Sequence, residues 1–258
     1  MNEKLRISLI QTQIYYKDVE RNLRNFERLI LNVPNSHIIL LPEMFNTSFC
    51  PKEKELAEEM TGRTVSWMKK QSKIKNSSIA GTLMIKDDNR IYNRLVWVKQ
   101  NGEVFYYNKR HLFSLIREDQ HLEKGKERLI INDYGWKICP LICYDLRFPI
   151  FSRNNVDYDV LIYLSNWPVK RVNAWNVLLK ARSIENQCYT IGLNRIGVDE
   201  NGIEYNGSSQ AIDPYGETLP PFKNTEESVI NVVCESQTIK KVRKKLNFLK
   251  DQDRYFIE

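Results

Sequence analysis

The chain has 258 residues, 42% hydrophobic and 28% charged, with 39 basic against 32 acidic side chains for a formal charge of +7. This is the composition of a soluble globular protein with enough chain to bury a sizeable core. No run approaches about 18 apolar residues, so no membrane span is expected, and the signs of charge are mixed along the chain, which excludes a dedicated nucleic-acid binder.

Residues 7–14 read as a strand, and Asp18 is placed to cap a helix in which Val19, Leu23, Phe26, Leu29 and Ile30 recur at helical spacing. Residues 37–41 form a short apolar run of buried-strand length, closed by Pro42-Glu43. A second helix is expected over 64–75, and Ile79, Gly81, Leu83 and Ile85 then alternate as in a strand. Asn101-Gly102, between strand-like runs at 91–99 and 104–107, signals a hairpin. Paired strands are expected at 129–131 and 136–142, then a buried strand at 160–164. Pro168 opens a long helix, a strand follows at 189–193, and Asp213-Pro214-Tyr215-Gly216 is a turn. A last strand at 229–233 precedes a helix whose basic run, Lys240-Lys241-Val242-Arg243-Lys244-Lys245, reads as a solvated face, the alternative being a phosphate-binding patch. Strands and helices interleave without a linker, a composition break or a repeat. The expectation is one layered α/β (α+β) domain spanning 1–258.

Five cysteines, Cys50, Cys139, Cys143, Cys188 and Cys234, are scattered and odd in number. No second Cys/His pair accompanies Cys139 and Cys143, so no metal site is expected. Residues 1–6 lead straight into a strand-like run, without the apolar segment of a signal peptide. The expected home is the cytoplasm, where free thiols persist.

Three strand ends carry a reactive group after an apolar run: Glu43 after Ile38-Ile39-Leu40-Leu41-Pro42, Lys109 after Val104-Phe105-Tyr106-Tyr107-Asn108, and Cys143 after Cys139-Pro140-Leu141-Ile142. A helix beginning just past Cys143 would favour its thiolate through backbone N–H groups and the helix dipole. A carboxylate in an apolar wall has the pKa needed to take a thiol proton, and an ammonium can hold an oxyanion. Together the three suffice for nucleophilic acyl transfer without histidine. The plain alternatives are a buried cysteine at a strand end, a surface carboxylate after a proline turn, and a solvated Lys109-Arg110-His111 run.

Read together, these segments resemble the nitrilase superfamily of carbon–nitrogen hydrolases. The resemblance rests on Leu41-Pro42-Glu43-Met44-Phe45, Asn108-Lys109-Arg110-His111-Leu112-Phe113 and Cys143-Tyr144-Asp145-Leu146-Arg147-Phe148-Pro149. It is supported by Leu164-Ser165-Asn166-Trp167-Pro168, Ala181-Arg182-Ser183-Ile184-Glu185-Asn186-Gln187, Asn194-Arg195-Ile196-Gly197 and the turn at Asp213. It implies a four-layer α-β-β-α sandwich with no cofactor, in which Cys143 attacks an amide carbon to form a thioester. Glu43 would be the base, and Lys109 with the backbone N–H of Tyr144 would hold the oxyanion. A second, positioning glutamate is implied within Glu-x-x-x-Leu-x-x-Gly. Glu118, Leu122 and Gly125 fit that spacing, with Asp119 and Glu123 close by.

The wording around Glu43 and in Arg147-Phe148-Pro149-Ile150-Phe151 is similar to the bacterial omega-amidase branch, although many relatives carry an acidic residue where this chain has Ile150. That branch implies a small dicarboxylate monoamide as substrate, 2-oxoglutaramate or 2-oxosuccinamate. Arg147 is a candidate clamp for the free carboxylate, the alternative being an ion pair with Asp145 or Glu185. Phe45, Phe113 and Trp167 are candidate pocket walls or ordinary core aromatics. The resemblance also implies a homodimer packed through the helices near 148–153 and 175–187 and the C-terminal tail. Other readings kept open are a nitrilase or carbamoylase, and a non-catalytic partner protein on the same fold.

Overall fold

The structure, a computed structural model, describes residues 1–220 and 226–256. In chain order the elements are β1 (Lys4–Gln11), α1 (Val19–Leu31), β2 (Ile38–Leu40), α2 (Arg63–Lys75), β3 (Ser78–Asp87), β4 (Arg90–Val98), β5 (Val104–Asn108), β6 (Ile131–Asp133), β7 (Trp136–Ile142), α3 (Pro149–Ser152), β8 (Val160–Ser165), α4 (Val172–Asn186), β9 (Tyr189–Asn194), β10 (Ile196–Val198), β11 (Glu204–Asn206), β12 (Gln210–Ile212), β13 (Ser228–Glu235) and α5 (Ser236–Leu246).

Two sheets carry the fold. One runs β13-β1-β2-β3-β4-β5 and the other β12-β9-β8-β7-β6. Each has a parallel centre, β1-β2-β3 and β7-β8-β9, with antiparallel strands outside it. The period-two alternation of the first sheet sorts its side chains between two cores. Leu5, Ile7, Leu9, Ile38, Leu40, Leu95 and Trp97 face the second sheet. Ile10, Ile39, Ile79, Leu83, Val96 and Val98 face α1 and α2, whose Leu23, Phe26, Leu29, Ile30, Val65 and Met68 complete an outer layer. β8 and β9 are buried along their whole length, as a strand covered on both faces must be. α4 covers the second sheet's outer face through Trp175 and Leu179. The result is the four-layer α-β-β-α sandwich. The sheets are also pinned to each other by polar contacts: Asp133 accepts from Trp97 Nε1 (2.9 Å) and Ser78 Oγ (2.6 Å).

The local signals mostly hold. Asp18 accepts from Arg21 N at 3.0 Å and caps α1, and Gly102 turns the β4–β5 hairpin at φ +89°. The basic run lies on α5 with Ile239 and Val242 buried and its lysines exposed. Arg243 turns back to donate to the Gln187 carbonyl at 3.2 Å. The first strand ends at Gln11 rather than at residue 14, although Ile14 stays buried. Pro168 leads into a short 3-10 turn, Val169–Arg171, before α4 begins. Among the described residues no helix is long and apolar enough to cross a membrane.

Candidate active site

β2, β5, β7 and β8 deliver their C-terminal ends to one edge of the sandwich, where a cavity of about 580 Å³ is lined by Glu43, Lys109, Cys143, Tyr144, Arg147, Asn166 and Trp167 among others. Glu43 and Lys109 come from the six-stranded sheet, Cys143 and Asn166 from the five-stranded one. The site therefore straddles the junction between the two sheets.

The charged centre is buried: Lys109 is 1% exposed, Glu43 and Glu118 0%. Lys109 Nζ donates to Glu43 Oε1 at 2.9 Å and to Glu118 Oε1 and Oε2 at 3.0 and 2.9 Å. Asn93, on β4, donates from Nδ2 to Glu43 Oε1 (2.8 Å) and Glu118 Oε1 (3.2 Å), while its Oδ1 accepts from Thr82 at 2.8 Å. Glu43 Oε2 accepts from the backbone N–H of Asn166 at 2.9 Å. Burial alone would lower the Lys109 pKa, but the charges of Glu118 and Glu43 outweigh it and hold the ammonium protonated well above its ordinary range. Burial pushes the Glu118 carboxyl up, against the pull of Lys109. One cation between two carboxylates, all out of water, is costly to assemble and weak as a source of stability. Buried clusters of this kind occur at sites that move protons and also in structural ion-pair networks.

Glu118 reaches Lys109 because its loop is closed on the end of β5. Phe113 N donates to Glu118 Oε2 at 2.7 Å, Leu122 N to the Glu118 carbonyl at 3.0 Å, and Gly125 N to the Lys109 carbonyl at 2.8 Å. A Cβ on Gly125 would lie 2.0 Å from the Asn108 carbonyl oxygen, so this approach is open to glycine alone. Asp119 and Glu123 point to solvent.

Cys143 follows β7 in a left-handed conformation, φ +41°, and starts a 3-10 turn, Cys143–Arg147. Its Sγ lies 3.9 Å from the Asn166 carbonyl oxygen. The short helix does not yield a resting thiolate: burial pushes the Cys143 thiol up, the charge of Glu43 pushes it further, and Lys109 only partly offsets them. Tyr144 stands in the first turn of the helix, where backbone N–H groups have no partner within the helix. Buried Asp145 holds this turn against the lysine segment, accepting from Tyr107 OH (2.7 Å), Ile142 N (3.0 Å), His111 N (3.1 Å) and His111 Nδ1 (2.8 Å). His111 is thus committed to Asp145 and stacked on Phe148 at 3.7 Å.

Of the expected pocket walls, Phe113 and Trp167 line the cavity and Phe45 does not. Phe45 packs in the outer core edge-on to Phe26 at 5.3 Å and over Gly81, whose missing side chain leaves room for the ring. Glu43 and Phe45 leave the same turn toward opposite faces of the sheet, and Phe49 takes the wall position instead. Arg147 lines the cavity with its guanidinium 4.9 Å from the centre of the Trp167 ring. Neither expected ion pair forms, because Asp145 is engaged as above and Glu185 pairs with Arg182 at 3.0 Å. Sequence reasoning missed Asn93 and Phe49, and it named Asp145 only as a possible partner of Arg147. Next to Arg94 in β4, Asn93 gives no sign of burial in the sequence.

Residues 6–244 match the family model described as carbon-nitrogen hydrolase. The chain is 37% identical over 251 residues to Omega-amidase YafV of Escherichia coli (strain K12), across 97% of this chain and 98% of that protein. It is 32% identical over 254 residues to 2-oxoglutaramate amidase of Bacillus subtilis (strain 168), across 96% of this chain and 97% of that protein. Among solved structures, XC1258 from Xanthomonas campestris, a CN-hydrolase superfamily protein with an arsenic adduct in the active site, matches with a TM-score of 0.96 at 34% identity, both chains covered in full.

Proposed function

The chain belongs to the carbon–nitrogen hydrolase family, and from that premise we propose that it is an omega-amidase. In this reading residues 1–258 act as one catalytic unit. It hydrolyses the terminal amide of 2-oxoglutaramate or 2-oxosuccinamate to the 2-oxo acid and ammonia. The observation that carries the chemistry is Lys109 Nζ within 3.0 Å of both Glu43 and Glu118, in a cavity that Cys143 shares. The similarity to the two amidases above carries the substrate.

Cys143 Sγ attacks the amide carbon as Glu43 takes the thiol proton, which the raised thiol pKa makes necessary. The carbonyl oxygen becomes an oxyanion held by Lys109 Nζ and the Tyr144 N–H. Glu43 passes the proton to the leaving nitrogen, the C–N bond breaks, ammonia departs and a thioester remains. Glu43 then takes a proton from water, whose oxygen attacks the thioester carbon. The C–S bond breaks, the proton returns to sulfur, and the 2-oxo acid leaves. Glu118 and Asn93 position Lys109 and Glu43 throughout. Arg147 is the clamp for the substrate's free carboxylate, with Trp167 and Phe113 as apolar walls. The five free cysteines fit a reducing cytoplasm.

Ammonia release from 2-oxoglutaramate, without turnover of nitriles or N-carbamoyl amino acids, is the expected result. Cys143→Ala should abolish turnover and leave the fold intact by circular dichroism. Activity surviving that substitution overturns the mechanism.

A further inference from the structure

Arg147 is not the only guanidinium in the cavity. Arg117 and Arg171 also line it, and Arg171, in the 3-10 turn before α4, has its guanidinium 5.2 Å from the centre of the Phe113 ring. Arg147 and Arg171 are the two that stand on the aromatic walls, and the walls are joined: Trp167 Nε1 donates to the Arg171 carbonyl at 2.8 Å, and Phe113 packs on Tyr144 at 4.8 Å. Among the described residues, neither guanidinium has a carboxylate partner or any side-chain hydrogen bond. The carboxylates that line the same cavity are engaged elsewhere. Glu53 pairs with Lys17 at 2.7 Å. Asp199 accepts from Tyr205 OH, Asn201 N and Ile203 N, each at 2.9 Å. Glu200 accepts from Asn201 Nδ2 at 3.1 Å.

Two planar cations stacked on rings, held near the proposed oxyanion donor and left without counterions, form a site for an anion that arrives with the substrate. We propose that Arg171 is a specificity-determining residue that, with Arg147, forms a two-guanidinium clamp for the carboxylate at the far end of the amide. This deepens the omega-amidase reading and rests on it. Each guanidinium offers a fork of N–H donors, so together they hold both carboxylate oxygens and have donors left for an adjacent 2-oxo oxygen. An ammonium at the same carbon would be repelled.

The test compares kcat and KM for 2-oxoglutaramate with those for pentanamide, which has the same chain length but no carboxylate. The proteins are wild type, Arg171→Met and Arg171→Lys, and thermal melting checks that each is folded. The ratio of kcat/KM for 2-oxoglutaramate to that for pentanamide is expected to fall about tenfold or more in Arg171→Met, the scale of one charge-assisted hydrogen bond. The loss should sit in KM, and Arg171→Lys should recover part of the ratio. A ratio unchanged in Arg171→Met, or a fall spread equally over both substrates, overturns the clamp. Competitive inhibition of pentanamide hydrolysis by glutarate separates this proposal from the substrate reading. If wild type rejects 2-oxoglutaramate yet glutarate inhibits it, and inhibits Arg171→Met about tenfold less, the substrate assignment fails and the clamp stands. If glutarate inhibits both equally or neither, the clamp fails.

Discussion

A cysteine hydrolase can hold its nucleophile as a ready thiolate or make it at the moment of attack, and for the nucleophile proposed above, Cys143, the surroundings favour the second. Burial and the facing Glu43 raise the thiol pKa, so the sulfur stays protonated at neutral pH, and thiolate accumulates only as pH rises toward that raised value. Alkylation of the free enzyme by iodoacetamide should therefore keep accelerating through about pH 9. A rate that levels off below about pH 7 would mark a preformed thiolate and overturn this account. At the scale of single residues the sequence was legible in which segments meet: Glu43, Lys109 and Glu118 share one hydrogen-bonded cluster, and Cys143 lines the same cavity. The sequence was illegible where only the direction of a side chain matters. Phe45 follows Glu43 by two residues, yet it turns into the outer core because Gly81 opens a space there. Asn93 lies in the middle of β4, where an unpaired polar group reads as solvent-facing. It is buried and bonded to Glu43, Glu118 and Thr82, partners that lie far from it in the sequence or on a neighbouring strand.

Elements place these groups by their ends. β5 stops at Asn108 and the chain returns seventeen residues later to close on the end of that strand, Gly125 N donating to the Lys109 carbonyl. Gly125→Ala would drive a methyl into the Asn108 carbonyl, 2.0 Å away. The expected cost is about 3 kcal/mol, or roughly 6–12 °C in melting temperature for a chain of this size. Because the same turn holds Lys109, kcat should fall along with stability. Near-normal melting and kcat in this variant would show that the contact is not binding. Most strands were legible from periodicity and length, within a residue or two. The β10–β11 hairpin was not, because its three-residue strands are too short to show a period. Sheet order was also hidden, since β1 pairs with β13 across more than 200 residues and nothing local records it.

On the scale of the molecule, the outer face of the second sheet leaves Ile150 (59% exposed), Val177 (58%) and Ile184 (43%) on the surface. Scattered apolar residues are ordinary, but a group on neighbouring helices suits the homodimer that the family resemblance implies. Multi-angle light scattering should report a dimer for the wild type and a monomer for Val177→Glu. A wild-type monomer would end that proposal.

The junction of the two sheets has a last consequence. In the proposed mechanism base and ammonium arrive on one slab and sulfur on the other, so neither slab alone completes the machinery and turnover becomes a gauge of how well the slabs are mated. Any solvent, temperature or substitution that lets them slide apart should then silence hydrolysis before the strands and helices melt.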